Sequence, residues 1–161
     1  MPRVRLALVT LVCALHLACS PQEPDVAQAL QVTDVVTGWL DAGIVNGQNK
    51  LVPTISFRVK NSAQGKLTYV SFNAVFRVIN DPEELGAALL KGIDGNGLGP
   101  GDSAGPYVAR CQLGYTSPAP RMEMLQHSQF RDAQVEVFAK HRSGGWIKLG
   151  QYKIQRQLLK S

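Results

Sequence analysis

The sequence contains few of the residues that metal and thiol chemistry require. Only three cysteines and three histidines occur among its 161 residues. Cys111, His127 and His141 show no paired spacing such as C-x-x-C or H-x-x-x-H, whereas zinc needs three or four ligands. We therefore expect no metal and no cofactor.

The sequence also lacks an apolar run long enough to cross a membrane. The longest run, residues 6–18 (LALVTLVCALHLA), is shorter than the roughly 20 residues that a spanning helix needs. It follows Arg3 and Arg5, and a polar, proline-bearing stretch comes after it. This order of features predicts a signal peptide over residues 1–18.

The end of this segment, Leu17-Ala18-Cys19-Ser20, resembles the bacterial lipobox. In a lipobox the cysteine thiol is diacylated, and that cysteine becomes the new N-terminus. The resemblance implies a lipid on Cys19 and a place in the cell envelope; the alternatives are simple secretion and an uncleaved anchor. Ser20 resembles the residue found in lipoproteins that are sorted to the outer membrane, where the domain would face the periplasm.

Disulfides are not expected either. If Cys13 is removed with the signal peptide and Cys19 carries lipid, Cys111 has no partner, and a lone cysteine in an oxidising compartment is safest when buried. The remaining chain of about 142 residues suits one domain that needs no covalent staple.

The charge is modest but unevenly distributed. Removal of Arg3 and Arg5 from the 17 basic residues leaves a small excess over the 12 acidic ones. No acid occurs among the last residues, whose bases are Lys140, Arg142, Lys148, Lys153, Arg156 and Lys160. This end could attract anionic lipid headgroups or polyanions; the alternative is a solvated hairpin face on which lysine discourages aggregation. Export and the scarcity of interleaved aromatics argue against nucleic acid as a partner.

A two-residue alternation of apolar and polar side chains dominates the rest of the chain. It predicts half-buried strands at residues 32–41, 55–60, 70–78, 107–115, 134–140 and 146–155. In the predicted strand at residues 107–115, Cys111 would point inward. Turns are expected at residues 61–66 and 142–145, and the change of phase at Gly150 predicts a β-bulge.

Two segments favour helical structure. A short helical turn is expected over residues 121–126. Residues 81–93 begin with Asp81-Pro82, acidic residues and then an apolar stretch, which is typical of a helix start. A sandwich needs a connecting edge strand there, so we predict a strand over residues 86–93 after an α-turn at residues 82–85.

Frequent strands with turns between them predict an all-β, antiparallel, Ig-like β-sandwich of about seven strands. The expected organisation is a signal peptide (1–18), lipid attachment and tether (19–29), and the sandwich domain (30–161).

A family resemblance points to the same fold. The stretch Val59-Lys60-Asn61, a hairpin, a strand of alternating aromatics and then residues 99–103 (GPGDS) resemble the FxLYD domains, relatives of the LEA14-like sandwiches of bacterial envelope lipoproteins. The resemblance covers residues 32–115 and implies an Ig-like fold without a defined activity.

One catalytic motif is present. Residues 101–105 match G-x-S-x-G, in which Ser103 would be the nucleophile of a serine hydrolase. That motif needs a strand-to-helix elbow, but glycines and Pro100 precede it and a predicted strand follows. We interpret it as a turn and expect a non-enzymatic protein.

The expected function is protein interaction or assembly in the envelope. Exposed aromatics on a sandwich tend to mark contacts, so the candidate interaction surface consists of Trp39, Trp146, Tyr152, Lys148, Lys153 and Arg156. For the two tryptophans, core packing is the alternative. Other functions left open are a lipoprotein component of a secretion apparatus, a hydrolase using Ser103, and a sandwich that binds a ligand or lipid in an apolar cavity between its sheets.

Overall fold

The computed structural model describes residues 24–160. The predicted signal peptide and Cys19 lie outside these residues. Within the described part, two short helices accompany nine strands. The helices are α1 (Val26–Ala29) and α2 (Arg121–Gln126). The strands are β1 (Leu30–Val45), β2 (Gln48–Asn61), β3 (Val70–Val78), β4 (Glu84–Ile93), β5 (Ser103–Arg110), β6 (Tyr115–Ser117), β7 (Ala133–His141), β8 (Ile147–Lys153) and β9 (Leu158–Leu159).

The strands form two sheets, which confirms the predicted all-β sandwich. The first sheet has the order β5-β2-β1-β9, and β6 also pairs with β2; the second has the order β4-β3-β7-β8. Every pair is antiparallel except β1 with β9, which is parallel. No helix among residues 24–160 is long and apolar enough to cross a membrane.

The core lies between the sheets because the alternation of side chains holds. Phe57 from the first sheet meets Phe72 from the second, with ring centroids 5.7 Å apart, and Phe72 lies 4.9 Å from Tyr107. These rings lie in the space between the sheets. The alternative function of binding a ligand there would require a sizeable cavity in the same space. The edge-to-face contact between Phe57 and Phe72 adds to the free energy gained from burying apolar area.

Helix α1 belongs to the folded domain, which corrects the predicted boundary of the tether at residue 29. Val26 and Ala29 are buried in the core. Asp25 caps the helix by accepting a hydrogen bond from the Ala27 amide at 3.0 Å, as expected for an N-cap carboxylate. Apolar side chains at residues 26 and 29 therefore place the start of the domain before β1.

The strand predicted for residues 86–93 is confirmed, but the α-turn before it is wrong. Asp81 accepts a hydrogen bond from the Glu83 amide at 3.1 Å, so its side chain closes an Asx turn and not a helix. Arg77 donates to the Pro82 carbonyl oxygen at 2.6 Å and pairs with Glu84 at 3.2 Å. These contacts let β4 begin at Glu84.

The strand predicted for residues 107–115 is interrupted. Strand β5 ends at Arg110 and β6 begins at Tyr115, and Leu113 is 59% exposed. At Gly114 the backbone passes against the Leu51 carbonyl oxygen, closer than a side chain would allow. Cys111 is buried as predicted, and this burial raises the pKa of its thiol.

Three local predictions are confirmed. Helix α2 has the predicted bounds. The β7–β8 register shifts between Val137 and Phe138, which leaves Leu149 unpaired beside Gly150 as a β-bulge. The predicted turns join β2 to β3 and β7 to β8.

The sandwich has two ends with different loops. The α1 end comprises α1, the loops of residues 61–69 and 93–102, and the β7–β8 turn of residues 141–147. The hairpin end comprises the β1–β2 turn of residues 45–48, β6, α2 and residues 127–132. Strand β1 runs from one end to the other.

Candidate functional site

Three aromatic rings form a cluster at the hairpin end. Trp39, fully buried in β1, lies 4.7 Å from Phe130 in an edge-to-face arrangement and 5.4 Å from Tyr115. Tyr115 and Phe130 are 4.7 Å apart. The three residues come from distant parts of the chain, so this cluster fixes β6 and the segment after α2 onto β1.

A pocket of about 230 Å³ opens beside this cluster. Tyr115 and Phe130 supply aromatic walls, Met124 an apolar wall, and Ser117, Glu123 and His127 polar groups. Pockets for drug-sized ligands usually measure about 300–1,000 Å³. This pocket is therefore suited to one amino-acid side chain or a comparably small group.

The wall formed by α2 is held in place from two sides. Asn49 donates a hydrogen bond from its side-chain amide to the Ala119 carbonyl oxygen at 2.9 Å. At the start of the helix, Arg121 forms an ion pair with Asp41 of β1. The Arg121 guanidinium beside it lowers the pKa of the Asp41 carboxyl group. Because these contacts join α2 and the residues just before it to the β1–β2 hairpin, the pocket is built on the sandwich itself.

Two exposed polar groups line the pocket at α2. Glu123 lies within the helix, and His127 is its C-terminal capping residue with an extended backbone. The Gln129 amide donates to His127 Nδ1 at 3.1 Å, so in the neutral imidazole the proton is on Nε2. Among residues 24–160, Glu123 takes part in no ion pair.

Exposed apolar side chains also occur on three segments at the hairpin end. Ile44 and Val45 at the hairpin tip are 70% and 40% exposed, Leu113 before β6 is 59% exposed, and Met122 on α2 is 51% exposed. Clustered exposed apolar residues are typical of surfaces that bind partners.

The structure separates the aromatic residues that the sequence grouped into one candidate surface. Trp39 is fully buried, so its assignment to the surface was wrong and the packing alternative is correct. Tyr152 is half-buried and packs against the core. Trp146 is 40% exposed and lies at the α1 end, with Lys140 Nζ 4.9 Å from the centre of its ring.

The three C-terminal cations of that surface all form ion pairs within the domain, and their side chains stay partly exposed, so their part in an interaction surface stays a prediction. Lys148 pairs with Glu136, and both Lys153 and Arg156 pair with Asp132. The sequence contains no acid near these bases, but β7 and the residue before it supply two carboxylates. Their charge therefore serves contacts within the domain.

Ser103 occupies the first position of β5, an antiparallel strand, and pairs with Lys60 of β2. The chain continues through β5 and enters no helix, so Ser103 is not on the strand-to-helix elbow that G-x-S-x-G hydrolases use. The strand begins at residue 103, four residues earlier than predicted. Among residues 24–160, no three His, Cys, Asp or Glu side chains are grouped so as to hold a metal ion.

Sequence reasoning did not find the pocket, because its walls come from β6, α2 and the following loop. The local signals were the helical turn at residues 121–126 and the prolines at residues 118 and 120, which mark a break from the strand pattern. Neither signal indicates that the break forms a concave surface.

No protein-family model and no curated protein matches the sequence. Among solved structures, the X-ray structure of structural-genomics target SoR45 aligns with a TM-score of 0.45 at 10% identity, covering 80% of this chain and 88% of that chain. A crystal structure described as the ApaA protein from Bordetella pertussis also has a TM-score of 0.45, at 15% identity, covering 78% and 91%. At these values neither structure says anything about function, and the resemblance to FxLYD domains stays a prediction.

Proposed function

We propose that this protein is a lipoprotein of the bacterial cell envelope that binds another envelope protein through its hairpin end. The supporting sequence features are the signal peptide at residues 1–18, Cys19 at its end and the polar residues that follow. The observation that carries the binding half is the aromatic-walled pocket, at the same end of the sandwich as the exposed Ile44, Leu113 and Met122. The role is interaction or assembly, not catalysis.

The pocket suggests which chemistry the partner presents. Its volume of about 230 Å³ accepts one side chain, and the walls of Tyr115, Phe130 and Met124 favour an apolar one. At the rim, Glu123 offers a carboxylate without an ion pair among the described residues, so a cation beside that side chain would be stabilised. The proposed ligand is a segment of an envelope protein that carries a large apolar residue next to a lysine or arginine.

The position of the pocket fits an anchored protein. The chain enters the domain at α1, and β1 then runs the length of the sandwich to the hairpin end. A lipid on Cys19 would leave the hairpin end pointing away from the membrane. We place the domain at the outer membrane, facing the periplasm.

The anchor is tested by the intact mass of the protein purified from membranes. We expect an N-terminal Cys19 that carries acyl groups, and a Cys19→Ala variant that leaves the membrane fraction. A mature protein of unmodified mass, or one that retains residues 1–18, would contradict the lipoprotein assignment.

The binding half is tested by site-specific photo-crosslinking in living cells. A crosslinker in place of Met122 should capture one partner of reproducible mass, whereas one in place of the exposed Gln151 on β8 should not capture it. Because Glu123 is exposed, Glu123→Lys should leave the fold intact and abolish capture at residue 122. The purified partner should then bind the wild-type protein and bind the Glu123→Lys variant at least about tenfold more weakly, the loss typical of a charge-assisted contact. Equal capture at residues 122 and 151, or no effect of Glu123→Lys, would refute this surface.

A further inference from the structure

The α1 end carries a second exposed surface, which differs in chemistry from the pocket. Tyr69 is 57% exposed, and Trp146 and Ile147 are 40% and 37% exposed. Each aromatic ring makes a cation–π contact. Arg142 lies 5.5 Å from the ring centre of Tyr69, and Lys140 Nζ lies 4.9 Å from that of Trp146. Exposed aromatic rings beside lysine and arginine are typical of protein surfaces at a membrane–water interface.

The backbone of the sandwich places the two aromatic residues at the same end. Val70 pairs with His141, so Tyr69 and Arg142 lie next to each other at the same strand ends, and the Arg142 amide donates to the Tyr69 carbonyl oxygen at 2.9 Å. Trp146 follows in the same β7–β8 turn. Helix α1 packs against β7 and β8, and the Ser62 amide donates to the Ala29 carbonyl oxygen at 2.8 Å. The start of the described chain therefore lies at this end.

The cations at this end differ from the paired C-terminal ones. Within the described chain, none of Lys66, Lys91, Lys140 and Arg142 forms an ion pair. Three carboxylates lie at the same end, Asp25, Asp94 and Asp102, so the four bases exceed them by one. Asp25 accepts from the Ala27 amide, and Asp94 accepts from the amide and side chain of Asn96. Unpaired bases on an exposed surface can attract an anionic surface.

The length of the chain before α1 decides which end can reach a membrane. Five residue steps separate Cys19 from Pro24, and they span at most about 17 Å in any conformation. Strand β1 has 16 residues, which corresponds to about 50 Å of extended chain. A lipid on Cys19 can therefore hold the α1 end against the bilayer, whereas the hairpin end is out of reach.

We propose that the α1 end is a membrane-contacting surface, in which Tyr69 and Trp146 enter the headgroup region of an anionic bilayer while Lys66, Lys91, Lys140 and Arg142 face its phosphates. This inference rests on the proposed lipid anchor at Cys19. It gives the domain a fixed orientation, with the pocket of the hairpin end presented to the periplasm.

The two tryptophans of the chain allow a direct test. Trp39 is fully buried and Trp146 is exposed, so quenching by lipids brominated near the headgroup reports on Trp146. The mature protein, purified from membranes, is reconstituted in vesicles of phosphatidylethanolamine and phosphatidylglycerol, and its mass is measured on the same sample. We expect its emission to be quenched, and a Trp146→Phe variant to lose that quenching while the emission of Trp39 persists.

Charge reversals separate attraction to lipid from mere proximity. Arg142→Glu and Lys140→Glu should reduce the quenching in these vesicles, whereas the matched reversal Lys50→Glu at the hairpin end should not. An acylated protein whose Trp146 is not quenched would overturn the orientation and leave the lipoprotein assignment standing. A protein without acyl groups would overturn the lipoprotein assignment, and with it this inference.

Discussion

Arg156 is bonded to Asp132 through its Nε, which donates to the carboxylate oxygen Oδ1 at 2.7 Å. The same guanidinium donates to the carbonyl oxygens of Phe130 at 2.7 Å and Leu125 at 3.2 Å, and it lies 5.3 Å from the centre of the Phe130 ring. One side chain thus joins the C-terminal segment to the loop that forms a wall of the pocket. The arginine that looked like a surface charge in the sequence braces the site.

Replacing Arg156 should therefore destabilise the protein. We expect Arg156→Ala to lower the free energy of unfolding by about 1–3 kcal/mol, because two main-chain carbonyls and a carboxylate lose a charged donor. Arg156→Lys should not rescue it, since an ammonium cannot reproduce the planar fork of donors. Urea denaturation measures both variants. Lys160→Ala, a change at an exposed lysine, is the control and should stay within about 0.5 kcal/mol of wild type; equal effects at residues 156 and 160 would refute the brace.

Acid should weaken the same contact. Hydrogen bonds from Arg156 and Lys153 lower the pKa of Asp132. A lowered folded-state pKa gives stability that is fully present above the unfolded carboxyl pKa of about 3.9 and is lost as pH falls through the folded value. Asp132→Asn should thus be less stable than wild type at pH 7, and the difference should shrink below about pH 4.

Denaturation midpoints between pH 7 and pH 3 check this expectation. Glu136 also has a lowered pKa, caused first by the hydrogen bond from Lys148, so the wild-type acid sensitivity should fall only in part in Asp132→Asn. Glu123→Gln, at a carboxylate outside the ion pairs of residues 24–160, serves as the control and should follow the wild-type profile. A gap between wild type and Asp132→Asn that stays constant with pH would contradict the linkage.

Gly114 should tolerate no side chain. A Cβ there would overlap the Leu51 carbonyl oxygen and the backbone of Val52, which are fixed in β2. We expect Gly114→Ala to cost about 1–3 kcal/mol of unfolding free energy, as overpacking does. Gly65→Ala is the matched control because no atom lies within 4 Å of its added Cβ. Thermal melts of the two variants decide the point, and equal midpoints would show that the backbone at residue 114 can move aside.

Local signals predicted much of the fold. The apolar–polar alternation in residues 70–78 predicts both ends of β3 correctly. The bulge at Gly150 follows from the change of phase in the alternation of apolar residues there. Such features depend on neighbours a few positions away. Side-chain period and turn chemistry therefore suffice to predict them.

The site could not be predicted in this way because its contacts are not local. Asp132 neutralises two bases more than twenty positions downstream, and Trp39 is buried by rings at residues 115 and 130. A sequence pattern cannot show whether an aromatic residue is exposed or a cation is unpaired, because both depend on which distant segments pack against them. For this reason the residues of the predicted surface have different roles in the structure. Trp39 lies in the core, Arg156 holds the loop beside the pocket, and Trp146 belongs to the surface at the α1 end.

The two tryptophans should differ sharply when they are replaced. Trp39→Ala removes a ring packed between Tyr115 and Phe130 and should cost about 3–5 kcal/mol, a large part of the 5–15 kcal/mol typical of a domain. Trp146→Ala, at an exposed position before β8, should cost far less. Trp39→Phe provides an intermediate case if the alanine variant fails to fold. It keeps a ring against Phe130 and removes an indole N–H that has no partner in the described part of the chain. Urea denaturation should rank the losses as Trp39→Ala, then Trp39→Phe, then Trp146→Ala. A loss in Trp146→Ala as large as that in Trp39→Ala would mean that residue 146 supports the fold, and the surface at the α1 end would then lose its exposed ring.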